Sequence, residues 1–219
     1  MLVPGFLAGD DSLALMTRWL RRVGYHTRKS GMRANVSCSA TALERLEDRL
    51  EELVKNQGRR AALIGQSRGG TLARVLARRR PDLVAGLVTL GTPHVEPFAV
   101  HPLVGLQIVA VGALGTIGAP GLFSRACLTG DCCAEFWEQL ERPLPRGMGF
   151  VSIYSESDGV VDWRACLAPE AEHVKVGSSH IGMAFSASAY RAIADALGSF
   201  KRYERARRAA PVTPLRRAA

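Results

Sequence analysis

The chain has 219 residues, 47% hydrophobic and 22% charged, which is enough length and apolar content for one globular domain with a sizeable core. Six of its nine net positive charges follow Ser199, where Lys201, Arg202, Arg205, Arg207, Arg208, Arg216 and Arg217 are opposed by Glu204 alone. This places a basic, flexible tail over 201–219 behind a domain spanning 1–200; such a tail could touch nucleic acid or anionic lipid, but it reads first as a solvated terminus, and no nucleic-acid partner is expected.

In chain order, Met1-Leu2-Val3 reads as a core strand running into the glycine turn Pro4-Gly5-Phe6. Asp10, Asp11 and Ser12 offer caps for a helix whose apolar face is Leu13, Met16, Leu20 and Val23, stopped by Gly24. Tyr25 to Ser30 follows as a short strand. Thr41 and Glu44 have capping-box spacing ahead of an amphipathic helix bearing Leu43, Leu46, Leu50, Leu53 and Val54, which ends near Gln57-Gly58. Ala61 to Ile64 is a buried strand, and Thr71 to Arg79 has helical composition before Pro81. Leu83–Leu90, Met148–Tyr154 and Glu172–Val176 are further strands, and Ala187 to Tyr203 is a closing helix. Strands alternating with helices predict an α/β fold of three layers, with a mostly parallel sheet of about six strands covered on both faces.

Pro97 to Ser124 contains no Asp, Glu, Lys or Arg. Its length would suit a bilayer span, but glycines and prolines interrupt it and it falls between two strands of one sheet, so no transmembrane helix is expected. It reads either as a buried helix with loops or as an apolar cap over a pocket at about 97–124, and its place after a sheet strand favours the cap. Cys38, Cys127, Cys132, Cys133 and Cys166 suit neither a disulfide scaffold nor a paired zinc motif. Cys127, Cys132, Cys133 and Cys166 could form one or two bridges in an exported protein and are otherwise small buried side chains. No leader is visible. Localisation stays open: the chain as written reads as cytoplasmic, and a secreted or periplasmic protein would need an upstream signal.

Between Ala61–Ile64 and Thr71 stands Gly65-Gln66-Ser67-Arg68-Gly69, a strand–turn–helix passage that exposes a serine on a tight bend. A serine hydroxyl is a weak nucleophile unless a base takes its proton and a third group orients that base. Ser67 is therefore the candidate nucleophile. Among His26, His94, His101, His173 and His180, the last follows a strong strand, lies in Gly177-Ser178-Ser179 and precedes the final helix, so it is the candidate base. Asp158, followed by Gly159 at the end of Met148–Tyr154, is the candidate acid. Asp162 is its rival, with capping the next turn or pairing with Arg164 as its other uses. The amides of Phe6 and Arg68 are the candidate oxyanion donors, with the Phe6 ring lining an acyl site.

These segments resemble the serine esterases and lipases of the α/β-hydrolase superfamily, in particular the small bacterial lipases with a minimal lid. The resemblance rests on Val3-Pro4-Gly5-Phe6, Gly65-Gln66-Ser67-Arg68-Gly69-Gly70 and Leu90-Gly91-Thr92-Pro93-His94, together with Ile153 to Val161 and Ser179-His180-Ile181-Gly182-Met183. It spans about Met1 to Leu197. It implies hydrolysis of carboxylic esters through an acyl-enzyme on Ser67, Asp158 and His180, with no cofactor and no metal. A lipid or small-molecule ester would be the substrate, and contact with a lipid interface would be transient. His94 resembles a structural feature of such lipases. Pro4-Gly5 stands where many relatives have His-Gly, and the leading strands of the usual eight-stranded sheet are absent. The same triad could serve an acyltransferase, and a non-catalytic lipid- or partner-binding module is the reading from another class.

Overall fold

At the centre of the sheet lies β3 (Val84–Leu90), seven residues buried along their whole length. The computed structural model describes residues 1–209. Five parallel strands stand in the order in which they occur in the chain, with β1 (Leu2–Val3) and β2 (Ala61–Gln66) on one side of β3. On the other side are β4 (Gly149–Tyr154) and β5 (Glu172–Lys175).

The pleat sorts the apolar residues into two layers. Leu63, Leu87 and Phe150 stand in register and pack with α2 (Ser39–Gln57), α3 (Arg68–Arg79) and α6 (Ala134–Glu141). Their sequence neighbours Ile64, Val88 and Val151 face the other way, against α1 (Ala14–Arg22) and α7 (Ala187–Ala209). Both faces are covered, so the strands read as continuous apolar runs rather than as alternating ones. Each fully buried Leu, Ile or Val contributes about 1.5–3 kcal/mol. The strand ends that carry the motif residues therefore rest on a rigid platform.

Four expectations are corrected. The sheet has five strands, not about six, because Tyr25 to Ser30 forms only a bridge from Lys29 to Leu2 and one hydrogen bond from Leu2 N–H to Arg28 C=O at 3.1 Å. Asp10 caps no helix; its carboxylate instead accepts from Ser30 N, Ser30 Oγ and Gly31 N at 2.9, 2.7 and 2.8 Å, tying that segment to the loop after β1. The capping box at Thr41 and Glu44 is absent, since α2 already begins at Ser39 and both residues lie inside it. Finally, α7 runs to Ala209, so 201–209 of the expected tail is helical, while 210–219 lies outside the described residues. Arg60, beside β2, pairs with Glu204 and secures that helical extension.

The apolar stretch forms α4 (Pro102–Thr116) and the turn that leads into α5 (Arg125–Thr129). It is not the buried helix of the first reading. Leu103, Leu106 and Ile117 are 66, 65 and 81% exposed, and Gly112 is the buried residue of α4. Its start is tied to the loop after β4 by His101 N–H donating to Val160 C=O at 2.7 Å. Its far end is tied near β1, where Phe123 N–H donates to Val36 C=O at 2.7 Å. The segment thus runs from the loop after β4 to the chain beside the loop after β1. Among the described residues no helix is long and apolar enough to cross a membrane.

Candidate active site

The turn between β2 and α3 places Ser67 at φ 51° and ψ −127°, in the left-handed half of backbone space. Such a conformation costs a side-chain-bearing residue about 1–3 kcal/mol and persists only where the surroundings enforce it. They do so here by close approach. A β-carbon at Gly65 would lie 2.5 Å from Gly69 O and from Gly70 Cα, and one at Gly69 would lie 2.3 Å from Val3 O. Strand, helix and the loop after β1 therefore meet backbone to backbone. Ser67 N–H is spent on Leu90 C=O at 2.9 Å, and Arg68 opens α3, where the first amides of a helix have no intrahelical acceptor.

The loop after β1 closes over this turn. Gly5 lies against Ser67, its would-be β-carbon 3.2 Å from Ser67 Cβ. Leu7, two residues on, is the other non-glycine residue with positive φ among those described, at 60°. Asn35, fully buried, holds the loop by donating Nδ2–H to Pro4 C=O at 2.8 Å and N–H to Ala8 C=O at 2.9 Å. Asn35 in turn receives the Arg68 guanidinium, which donates to its backbone C=O at 2.9 Å and to its side-chain oxygen. Arg68 donates further to Ser37 C=O at 2.8 Å and Ser39 Oγ at 3.1 Å, and stacks 5.5 Å over the Phe123 ring. Burial pushes this guanidinium down to about 10, while the thiols of Cys133, Cys38 and Cys127 act in the opposite direction. Sequence reasoning missed Asn35, whose role depends on a tertiary contact with no local pattern.

The acid and base loops bind each other. Asp158, 4% exposed, and His180, 7% exposed, meet at 2.7 Å between Oδ2 and Nδ1. An ionised carboxylate can only accept, so Nδ1 carries the proton and Nε2 keeps a lone pair free for another donor. The second carboxylate oxygen accepts from Val160 N–H at 2.9 Å and Val161 N–H at 2.7 Å, which fixes its direction. His180 N–H donates to Asp158 C=O at 3.1 Å, and Ser155 Oγ accepts from Ser178 N–H at 3.3 Å. Gln66, the residue before Ser67, donates Nε2–H to His180 C=O at 3.0 Å. That bond joins the serine and histidine segments; no hydrogen bond joins the Ser67 hydroxyl to His180 in this structure. Gln66 was also missed, since its position in the motif carries no required residue type.

A family model described as the alpha/beta hydrolase fold matches residues 30–110, which include β2, the serine turn, α3 and β3. Similar solved structures include a lipase from Bacillus licheniformis, at TM-score 0.63 and 14% identity over 91% of this chain and 90% of that one. A metagenome-derived lipolytic enzyme matches at TM-score 0.61 and 14% identity over 92% of each chain. A hydrolase of the α/β superfamily from Oenococcus oeni matches at TM-score 0.60 and 16% identity over 91% of each chain. No significant match is found among curated proteins.

The chain has the α/β-hydrolase fold.

Within this fold the other candidates have different surroundings. Asp162 caps the turn after it, accepting from Arg164 N–H at 3.0 Å, and pairs with the Arg164 guanidinium at 3.5 Å. His94 is 4% exposed and contacts Thr89 Oγ1 through Nε2 at 3.0 Å, while its Nδ1 has no partner. Burial first, then the positive charge of Arg74 and the nearby His173, hold its ring well below the usual 6.5, so it is a neutral structural group. His173 Nε2 meets Ala168 C=O at 2.8 Å, and His101 caps α4 by accepting from Leu103 N–H at 3.3 Å. Two surface cavities, of 390 and 600 Å³, lie elsewhere, and neither is lined by Ser67, Asp158 or His180. The Phe6 ring lies 6.1 Å from Phe123.

Proposed function

We propose that this α/β-hydrolase is a serine carboxylic-ester hydrolase for esters of apolar acyl chains. The observation that carries the reading is the buried Asp158–His180 contact at 2.7 Å, with His180 C=O bonded to Gln66, the residue next to a strained Ser67. Ser67 Oγ attacks the ester carbonyl carbon as His180 Nε2 takes its proton, and Asp158 stabilises the resulting imidazolium. The amides of Phe6 and Arg68 receive the oxyanion, and each such donor is worth roughly 10²–10³ in rate. His180 then protonates the departing alcohol, water repeats the sequence on the acyl-enzyme, and the acid is released. The histidine–serine hydrogen bond, absent from this structure, would form on substrate binding.

Two further features support the apolar acyl chain. The exposed leucines of α4 offer greasy surface, and Phe6 with Phe123 provides aromatic walling beside the oxyanion loop. The lipolytic enzymes similar in fold are consistent with this choice of substrate class.

Labelling with a fluorophosphonate probe tests the reading without a guess at the natural substrate. Wild type should label and Ser67→Ala should not. Hydrolysis rates across esters of increasing acyl length should then rise beyond acetate. Folded wild type that resists the probe would overturn the proposal in favour of a binding module.

A further inference from the structure

Four of the five cysteines converge beside the oxyanion loop. Cys38 precedes the first turn of α2, Cys127 lies in α5, and Cys132 and Cys133 occupy the turn between α5 and α6. Their sulfurs all lie within 4.8 Å of one another. Sγ of Cys38 is 3.4 Å from that of Cys133, Cys132 is 3.1 Å from Cys127, and Cys132 is 3.8 Å from Cys133. We propose that Cys38, Cys127, Cys132 and Cys133 form a tetrathiolate site for a single zinc ion, which clamps the α5–α6 cap to the loop that supports the oxyanion hole.

Geometry favours a metal over two disulfides. Zinc–sulfur bonds of about 2.3 Å in a tetrahedron set every sulfur–sulfur edge at about 3.8 Å, a value within the range of the separations here, from 3.1 Å up to the 4.8 Å bound. A disulfide needs about 2.0 Å and gives each sulfur one partner. Cys132 instead approaches two sulfurs at once, and Cys133 likewise approaches two. Mutual distances under 4.8 Å also leave room for one ion rather than a polynuclear cluster. Soft thiolates in tetrahedral array select zinc among common divalent ions.

A second observation comes from Arg68. Its guanidinium, partly buried, donates to Asn35 C=O, Ser37 C=O and Ser39 Oγ on either side of Cys38, and no carboxylate among the described residues pairs with it. A cation withdrawn from water is favoured by a nearby countercharge. Binding of Zn²⁺ by four thiols releases four protons and leaves the site with net charge −2, which supplies it. The fifth cysteine, Cys166, is buried outside this group. The clamp also explains how α5 and α6, of five and eight residues, hold their place when helices that short have little stability of their own. Cys38 lies between Ser37 and Ser39, both hydrogen-bonded to Arg68, so the metal would brace the residue whose amide faces the oxyanion.

The test uses the full, untagged chain purified in reductant without chelator. Elemental analysis should find one zinc per chain. Replacement by cobalt should give thiolate-to-metal charge-transfer bands with the d–d absorption of a tetrahedral site. Cys127→Ser should lose the metal or bind it more weakly by more than the ~10–100-fold seen when only a ligand's supporting partner is removed, and Cys166→Ser should keep it. Should Cys127→Ser fail to fold, titration of folded wild type with a competing chelator still reads the site. Intact mass showing two disulfides would overturn the proposal, as would free thiols that take up neither zinc nor cobalt, or iron in place of zinc.

Discussion

Gln66 donates its side-chain amide to the carbonyl oxygen of His180 at 3.0 Å, with both residues buried, so the position next to the serine holds the backbone of the histidine. Replacing Gln66 by Leu leaves that carbonyl without a partner in an apolar setting, which costs about 1–3 kcal/mol. Urea unfolding should show that loss. Ester hydrolysis should fall mainly in kcat, about 10-fold or more, because the histidine is misplaced by a fraction of an ångström while the acyl site is untouched. A fall in KM-weighted binding with kcat preserved would contradict the positioning role.

Asp158 and Asp162 lie four residues apart and should respond differently. Asp158→Asn removes the acceptor that selects the Nδ1–H tautomer, and kcat/KM should drop roughly 10³–10⁴-fold with the fold retained by circular dichroism. Asp162→Asn weakens only a turn cap and an exposed pair, so its activity should stay within a few-fold and its stability within about 1 kcal/mol. Equal losses in the two variants would reject Asp158 as the orienting group.

His94 should make stability sensitive to mild acid. Its folded ring is held well below 6.5, chiefly by burial, whereas an unfolded ring titrates near that value. Between the two pKa values the unfolded chain binds the extra proton, so stability rises with pH there. The His94 contribution is complete above 6.5 and is lost as pH falls from 6.5 towards the folded value. Urea midpoints measured across this range should slope downward into acid for wild type and more gently for His94→Gln.

Leu103 and Leu106 project from α4 with about two thirds of their surface in solvent, 66 and 65%. Replacing both by Gln should leave the melting temperature almost unchanged, since little burial is lost. Activity on an emulsified long-chain ester should fall several-fold, while activity on a dissolved short-chain ester holds. Equal effects on both substrates would remove the lipid-facing role of this helix.

The serine turn is legible in the sequence because its determinants are local: an apolar strand, two glycines that must pass backbone to backbone, and a helix behind them. The edges of the fold are less so, for reasons that lie far along the chain. Asp10 reads as a cap until Ser30 and Gly31 claim its oxygens, and α2 starts early because Ser39 Oγ is occupied by Arg68 rather than by its own helix. The segment 97–124 is apolar on every side, so no periodicity separates a core helix from an exposed one. Cys38 and Cys133 are 95 residues apart, and no spacing rule joins them. In the site, Asp158 and His180 stand at strand ends where fold order leads one to look, whereas Gln66 and Asn35 act through contacts visible only once the loops are assembled.

The strands stand across the sheet in the order in which a ribosome makes them. Synthesis therefore builds the domain from one edge to the other, amino end first. On the proposed mechanism the nucleophilic hydroxyl and its oxyanion loop emerge with the first two strands, the acid with the fourth, and the base only after the fifth. For roughly a hundred residues of translation the nascent chain would carry a serine with nothing to deprotonate it. On that mechanism hydrolytic competence would come last, and a product terminated before residue 180 would lack the base.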